Sequence, residues 1–302
     1  MKRWLKYGLI GAVGLVALAS SAVIVAARLG ESRMQRQIDL GELRPITFGA
    51  ADAAHIERGR YLFRSRGCTE CHGANGAGKL VIDDEHSGMR VHAPNITPSP
   101  GTAVAGYRDA DWNRTIRHGV KPDGRPALIM PSEDYARLTD GDLSALVAFL
   151  RQLPPQAGRG AEIRFPLPVK VMVGLGLLSD AASKIDHRLP PPDPVPEAIT
   201  AEHGAYVANA CIGCHGPALA GGKIPGAPPD WPSAAKLNPG PGSAMARYPD
   251  AAAFAAMLRS GLRPDGSTVS RVMPFESLKA LNDTDVQALF LHLLGRRAEA
   301  GG

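Results

Sequence analysis

The pentapeptide Cys68-Thr69-Glu70-Cys71-His72 recurs as Cys211-Ile212-Gly213-Cys214-His215, a shift of 143 residues, and the two copies use all four cysteines of the chain. Two thiols separated by two residues can add to the two vinyl groups of a haem, and a histidine directly after the second thiol supplies an iron ligand. One five-residue match is weak evidence. Two matches that consume every thiol are strong evidence for two covalently bound haem c groups.

Three other chemistries compete for the same residues. A zinc site built from two C-x-x-C pairs would want the pairs closer and would need no histidine after each. A thioredoxin-like redox pair would sit in a βαβ pattern, which this sequence lacks. Structural disulfides suit an exported protein, but loops of two residues hold a chain together poorly.

The register extends beyond the cysteines. The shift of 143 also carries Asn95 to Asn238, Met130-Pro131 to Met273-Pro274 and Asp142 to Asp285. Arg117-His118-Gly119-Val120-Lys121-Pro122-Asp123-Gly124 aligns with Arg259-Ser260-Gly261-Leu262-Arg263-Pro264-Asp265-Gly266 at a shift of 142, a one-residue loop difference. Self-similarity at one long period reads as tandem duplication of a whole unit, and two units are too few for an array.

The 302 residues have room for two small units and connecting segments. Aromatic residues are only 5% of the chain, which small haem domains tolerate because the porphyrin is itself a large apolar body to pack on. The formal charge of +5 is concentrated at one end: residues 1–50 hold seven Lys and Arg against three Asp and Glu, while residues 51–153 hold thirteen of each. The basic balance therefore does not point to nucleic acid.

Tyr7 to Ala27 is a run of 21 residues without a charge, preceded by three basic residues in Met1–Lys6. That length spans a bilayer as a helix. A cleaved signal peptide ending at Ala17-Leu18-Ala19 is the alternative, and the apolar run continuing past that site favours the anchor. Covalent haem attachment takes place outside the bacterial cytoplasm, so the expected arrangement is a single pass through the inner membrane with the haem units in the periplasm. The chain divides into a cytoplasmic basic end (1–6), a transmembrane anchor (7–27), a polar stalk (28–50), a first unit (51–153), a proline-rich connection (154–200) and a second unit (201–297). All regular structure is expected to be helical.

Within each unit a helix leads into the cysteine motif and an amphipathic helix closes the unit, over 139–153 in the first and 282–294 in the second. Thr139 or Asp140 is the expected cap, and Pro154-Pro155 the stop. Gly59-x-Tyr61 and Gly204-x-Tyr206 mark the entering helices, where glycine would let the first and last helices cross closely. In the connection, the apolar run 169–178 is too short for a second span. It is expected to pack on the first unit as a short helix, with a partner-docking or membrane-surface segment as the alternative.

Gly59-x-x-x-Phe63, the Cys-x-x-Cys-His motifs, an Asn in a Pro-rich loop, Met-Pro and an amphipathic closing helix together resemble class I cytochrome c domains. More narrowly, Ala93-Pro94-Asn95-Ile96-Thr97-Pro98, Asp111-Trp112, Arg117-x-Gly119, Met130-Pro131, Arg263-Pro264-Asp265-Gly266 and Met273-Pro274-Phe275 resemble the membrane-bound multihaem cytochrome c subunits that partner alcohol, aldehyde or gluconate dehydrogenases. The resemblance covers roughly residues 50–295 and departs from the three-haem members in having two motifs. It departs from them also in carrying its anchor at the N-terminus, so the expected all-α fold is the transmembrane helix read from the apolar run followed by the two tandem class I cytochrome c domains that the resemblance implies. By analogy it also implies that the Pro94 carbonyl accepts the ring N–H of His72; the second unit shows no obvious equivalent.

Met130 and Met273 each lie 58 residues after the histidine of their unit and precede the closing helix. They are the expected axial sulfur ligands, with His72 and His215 as proximal ligands and Cys68, Cys71, Cys211 and Cys214 as attachment points. His118 is the rival distal ligand in the first unit, but its counterpart is Ser260; His86, His92 and His292 also lack histidine counterparts. Haem propionates need hydrogen-bond donors, for which Arg117, Arg259, Asn95, Asn238 and Trp112 are candidates.

Two function classes follow. One is an electron carrier without catalysis of its own, taking electrons from a membrane dehydrogenase or quinol-oxidising complex and passing them to a terminal oxidase or soluble cytochrome, or acting as the dedicated cytochrome subunit of an alcohol, aldehyde or sugar-acid dehydrogenase. The other is a dihaem peroxidase-type enzyme, which requires an iron able to lose its distal ligand; equivalent methionines in both units argue against it.

Overall fold

A computed structural model describes residues 3–225, 227 and 230–295. Residues 1–2 of the basic end and 296–297 of the expected second unit lie outside the described residues. Helix α1 runs from Arg3 to Met34, longer than its uncharged core, and is exposed along nearly all its length. The first unit follows with α2 (Ala53–Ser65), α3 (Cys68–His72), β1 (Leu80–Asp84), β2 (Met89–His92), α4 (Asp109–His118), α5 (Ser132–Tyr135) and α6 (Asp140–Arg151). The connection carries β3 (Glu162–Arg164) and α7 (Leu167–Gly174), and the second unit has α8 (Ala201–Ala208), α9 (Ile212–His215), α10 (Ala251–Ser260), α11 (Phe275–Leu278) and α12 (Asp283–Leu293).

Each unit is built around a crossing of its first and last helices. A Cβ on Gly59 of α2 would stand 1.9 Å from the Ala145 carbonyl oxygen of α6, and one on Gly204 of α8 would stand 2.0 Å from that of Ala288 in α12. Only glycine allows backbones so close. The first closing helix is capped as its sequence predicts, with Thr139 Oγ1 accepting from the Asp142 N–H at 3.1 Å, and the second is capped likewise, with Asn282 Oδ1 accepting from the Asp285 N–H at 2.7 Å. Leu62, Phe63, Leu143, Leu146 and Leu150 fill the first core, and Val207, Phe254, Leu258, Val286 and Leu289 the second.

The expectation of helix alone is corrected by a three-stranded antiparallel sheet, ordered β1-β2-β3. Val81-Ile82 and Val91 favour extended backbone, and the turn between them closes on Gly88 at φ +74°, where its N–H donates to the Asp84 carbonyl. The third strand comes from the connection, with Val91 opposite Ile163. Only Val91 is buried, so the sheet is a thin flap with one inward residue.

The expected polar stalk, 28–50, continues α1 as far as Met34. Residues 35–50 then leave the helix. They lie as a strap along the first unit: the Ile38 N–H donates to the Gly124 carbonyl at 2.9 Å, Leu40 packs with Val120 and Ala182, and the Phe48 N–H donates to Asp109 at 2.9 Å. The apolar run of the connection packs on α1 rather than on the first unit. Small residues, Ala26, Ala27 and Gly30 on α1 and Gly174 on α7, make that crossing possible.

Candidate haem sites and the interface between them

The two cysteine motifs form short helices entered through Gly67 or the Asn209–Cys211 turn and left through Gly73 and Gly216, both at positive φ. His72 Nδ1 lies 3.0 Å from the Pro94 carbonyl oxygen and His215 Nδ1 lies 2.8 Å from that of Ala235. A carbonyl only accepts, so each ring carries its proton on Nδ1 and keeps the Nε2 lone pair for a metal. Burial pushes both imidazoles below their ordinary range, which keeps them neutral and competent as ligands.

Both carbonyls are positioned by the same device. The Gly78 N–H donates to the His72 carbonyl and the Gly221 N–H to the His215 carbonyl, each at 2.9 Å. Both glycines have positive φ, and a Cβ on either would strike the segment that carries the accepting carbonyl: the Ala93 oxygen at 2.3 Å and the Ala234 oxygen at 2.4 Å. Ala235 is therefore the second-unit equivalent of Pro94 that sequence comparison missed. The spacing from histidine to acceptor is 22 residues in one unit and 20 in the other, and alanine replaces proline. The readable signal was the glycine six residues after each histidine.

Cys68 and Met130 both pack on the first core, and Cys211 and Met273 both pack on the second. The methionines sit in matching turns, with Pro131 at φ −79°, ψ 63° and Pro274 at φ −79°, ψ 72° leading into α5 and α11. Burial pushes the Cys68 and Cys211 thiols up to about 12, so neither is the reactive thiolate that a thiol–disulfide exchange motif requires. Among the described residues no three His, Cys, Asp or Glu side chains converge as a cation site. A thiol pair and a neutral, oriented histidine on the rim of an apolar core are the donor set a covalent haem needs.

The other sequence candidates are distributed differently. Arg117 is buried and binds Asn113 Oδ1 at 3.1 Å, Asp140 Oδ1 at 2.8 Å and the Leu138 carbonyl at 2.6 Å, while its buried Nε has no partner among the described residues. Arg259 pairs with Asp283, the counterpart of Asp140. The shared work of these arginines is thus to tie the preceding helix to the first residue of the closing helix. Asn95 is fully engaged inside its loop, accepting from Thr97 N–H and Oγ1 and donating to the Gln156 carbonyl, all at 2.8 Å. Asn238 donates to the Ala218 carbonyl at 2.8 Å, and its buried Oδ1 has no partner among the described residues. Trp112 is buried edge-on against Tyr107. His118 faces His187, Nδ1 to Nδ1 at 3.0 Å, and belongs to the contact between α4 and the connection.

The units meet through partners that the sequence alone does not pair. Tyr61 Oη donates to Asp285 Oδ2 and Tyr206 Oη donates to Asp142 Oδ2, each at 2.6 Å, so the entering helix of each unit grips the closing helix of the other. Each tyrosine oxygen also accepts a backbone N–H at the reciprocal helix start, from Asn282 and from Thr139, at 3.3 Å. Asp285 is wholly buried and further accepts from Arg66 at 3.0 Å and His203 at 2.7 Å; Asp142 accepts both arms of Arg58 at 2.8 and 2.9 Å. The cysteine motifs share this interface. The Gly213 N–H donates to Asp134 of α5 at 2.7 Å, and Ser277 of α11 donates to Glu70 at 2.9 Å, an exchange between corresponding positions of the two units. Burial raises the Asp134 carboxyl to about 7.

A haem-attachment helix ending on an Nδ1-anchored histidine, closed by crossed first and last helices, defines a c-type cytochrome fold. Residues 56–154 match the family model for Cytochrome c, and the chain carries a cytochrome c domain, with the covalently bound haem c that domain implies. The chain is 30% identical over 177 residues to the cytochrome c subunit of alcohol dehydrogenase (quinone) from Gluconacetobacter polyoxogenes, covering 55% of this chain and 37% of that one. It is 34% identical over 130 residues to the gluconate 2-dehydrogenase cytochrome c subunit of Pantoea cypripedii, covering 40% and 29%. It is 31% identical over 179 residues to a protein named diheme cytochrome c-type from Cereibacter sphaeroides, covering 53% and 56%. The matched stretch is less than two thirds of the length of each of these relatives.

Proposed function

We propose that this chain is a membrane-anchored dihaem electron-transfer protein whose two haems face the periplasm. One haem is attached at Cys68 and Cys71 with His72 and Met130 as axial ligands, the other at Cys211 and Cys214 with His215 and Met273. The units are two tandem class I domains over 51–153 and 201–297. Bound there, haem would supply a reversible one-electron couple, and ligation by a methionine thioether together with a histidine would favour the reduced iron. The chain supplies orientation: carbonyls that fix the histidine rings and apolar cores that exclude water.

The observation that carries this reading is the exchange at the interface, Gly213 with Asp134 and Glu70 with Ser277, which sets both attachment motifs against one seam. Electrons can then cross between haems without either unit moving. α1 is the one helix among those described that is long and apolar enough to cross a membrane, and it serves as the anchor over residues 7–27. The donor is a membrane dehydrogenase or quinol-oxidising complex, and the acceptor a terminal oxidase or soluble cytochrome. The names of the relatives favour a dehydrogenase that oxidises an alcohol, a sugar or a sugar acid, to which this chain would be the cytochrome subunit.

Stopped-flow reduction of the purified protein, with and without a co-purified dehydrogenase, tests the reading. Reduction by substrate is expected only when the dehydrogenase is present. Direct reduction by ethanol, an aldehyde or gluconate, or rapid turnover of peroxide, would overturn it.

A further inference from the structure

Leu167, Leu175 and Leu177 are 54%, 62% and 68% exposed, three large apolar side chains in one short stretch of the proline-rich connection. The stretch is not loose. A Cβ on Gly30 would stand 2.0 Å from the Lys170 carbonyl oxygen, and one on Gly174 would stand 1.8 Å from that of Ala26, so α7 and α1 touch backbone to backbone. Lys170 pairs with Glu31 at 2.7 Å, and Leu167 and Lys170 line a groove with Ile24, Ala27 and Arg28. Beyond the crossing, Arg33 donates to the Val173 carbonyl at 2.8 Å and Arg36 binds Asp180 at 2.9 Å. The connection thus comes down to α1 at Ala26–Glu31 and returns toward Arg36.

The place of the crossing on α1 decides what covers the leucines. An α-helix rises about 1.5 Å per residue, so the uncharged run that ends at Ala27 spans roughly 30 Å, the thickness of the hydrocarbon core. Ala26–Glu31 then lies where the helix leaves that core. Val25 and Leu29 of α1 are exposed apolar side chains at that level, as are Leu167, Leu175 and Leu177 in the segment packed on it. Arg28, with its side chain 80% exposed, and Arg33 supply cations at the level of phosphate headgroups.

We propose that residues 167–178 are an interfacial membrane element, with these three leucines seated at the boundary of acyl chains and headgroups in the leaflet that faces the haem units. The proposal rests on the reading of α1 as a membrane anchor. With the strap of residues 35–50, it gives the haem head two connections to the bilayer, which would fix the orientation of the head instead of leaving it on a tether.

The test uses the full-length holoprotein in phosphatidylethanolamine–phosphatidylglycerol vesicles, carrying a nitroxide at Leu167→Cys, Leu175→Cys or Leu177→Cys. Power saturation compares collision with oxygen, which concentrates in lipid, against a water-soluble nickel chelate, with a nitrogen baseline removing the haem contribution. Leu15→Cys in α1 reports the anchor, and Leu189→Cys, another exposed leucine of the connection, reports water. Labels at 167, 175, 177 and 15 should favour oxygen, and the label at 189 should favour nickel. If 15 favours oxygen while 167, 175 and 177 favour nickel, the interfacial element is wrong and the anchor stands. If 15 favours nickel, the anchor is wrong and the proposal fails with it. Labels at 167, 175 and 177 shielded from both relaxants would mean protein cover, such as a second copy, and would also overturn it.

Discussion

Asp142 and Asp285 show how much one buried carboxylate can organise. Burial by itself would raise their pKa, but Arg58 beside Asp142, and Arg66 with Tyr61 and His203 around Asp285, hold both below the ordinary carboxylate range. Their stabilising contribution is therefore complete above the unfolded carboxylate pKa of about 3.9, and it is lost as pH falls through the folded values. Asp285→Ala leaves Arg66 buried without its partner and should cost about 3–5 kcal/mol in denaturant unfolding at pH 7. The gap between wild type and Asp285→Asn should narrow as pH drops below about 4; a gap independent of pH would show that the carboxylate charge is not what matters. At the two proposed iron sites, Met130→His and Met273→His should each remove about half of the weak near-infrared sulfur-to-iron band and lower the potential of the altered haem. An unchanged band in either variant would dismiss that methionine as a ligand.

Among the elements, the helix crossings are the most exacting. Gly59→Ala and Gly204→Ala must push α2 from α6 and α8 from α12, because the new methyl would meet a carbonyl oxygen at 1.9 or 2.0 Å. Overpacking of this kind costs about 1–3 kcal/mol, whereas Gly106→Ala, with nothing within 4 Å, should be near neutral in the same thermal-melt series. These crossings and the cap at Thr139 were legible because each depends on residues close in sequence or on a repeat of fixed period. The sheet was not. Its strands are three to five residues long, one of them lies in the connection, and a single buried Val91 leaves no alternating pattern to read. Ala235 was hidden for a related reason: its carbonyl matters and its side chain does not, so residue identity carries no trace of the role.

At the scale of the whole molecule, the duplication was plain in the sequence but the way its halves join was not. Tyr61 and Asp285 are 224 residues apart, and Tyr206 and Asp142 are 64 apart, separations at which no periodicity pairs side chains. Only the recurrence of all four residues at matching positions hinted that they act together. Removing both hydroxyls, Tyr61→Phe with Tyr206→Phe, should loosen the seam while each haem keeps its own ligands. Electron exchange between the two haems should slow, with the absorption spectrum of each unchanged; an unchanged exchange rate would show that the haem spacing does not depend on this clasp. All of this presupposes that both motifs are loaded. Intact mass and haem-peptide mapping of the purified protein test that most directly: two haems are expected, one on the peptide containing Cys68–His72 and one on that containing Cys211–His215, whereas a single haem, or an unmodified Cys211–Cys214 pair, would contradict the account.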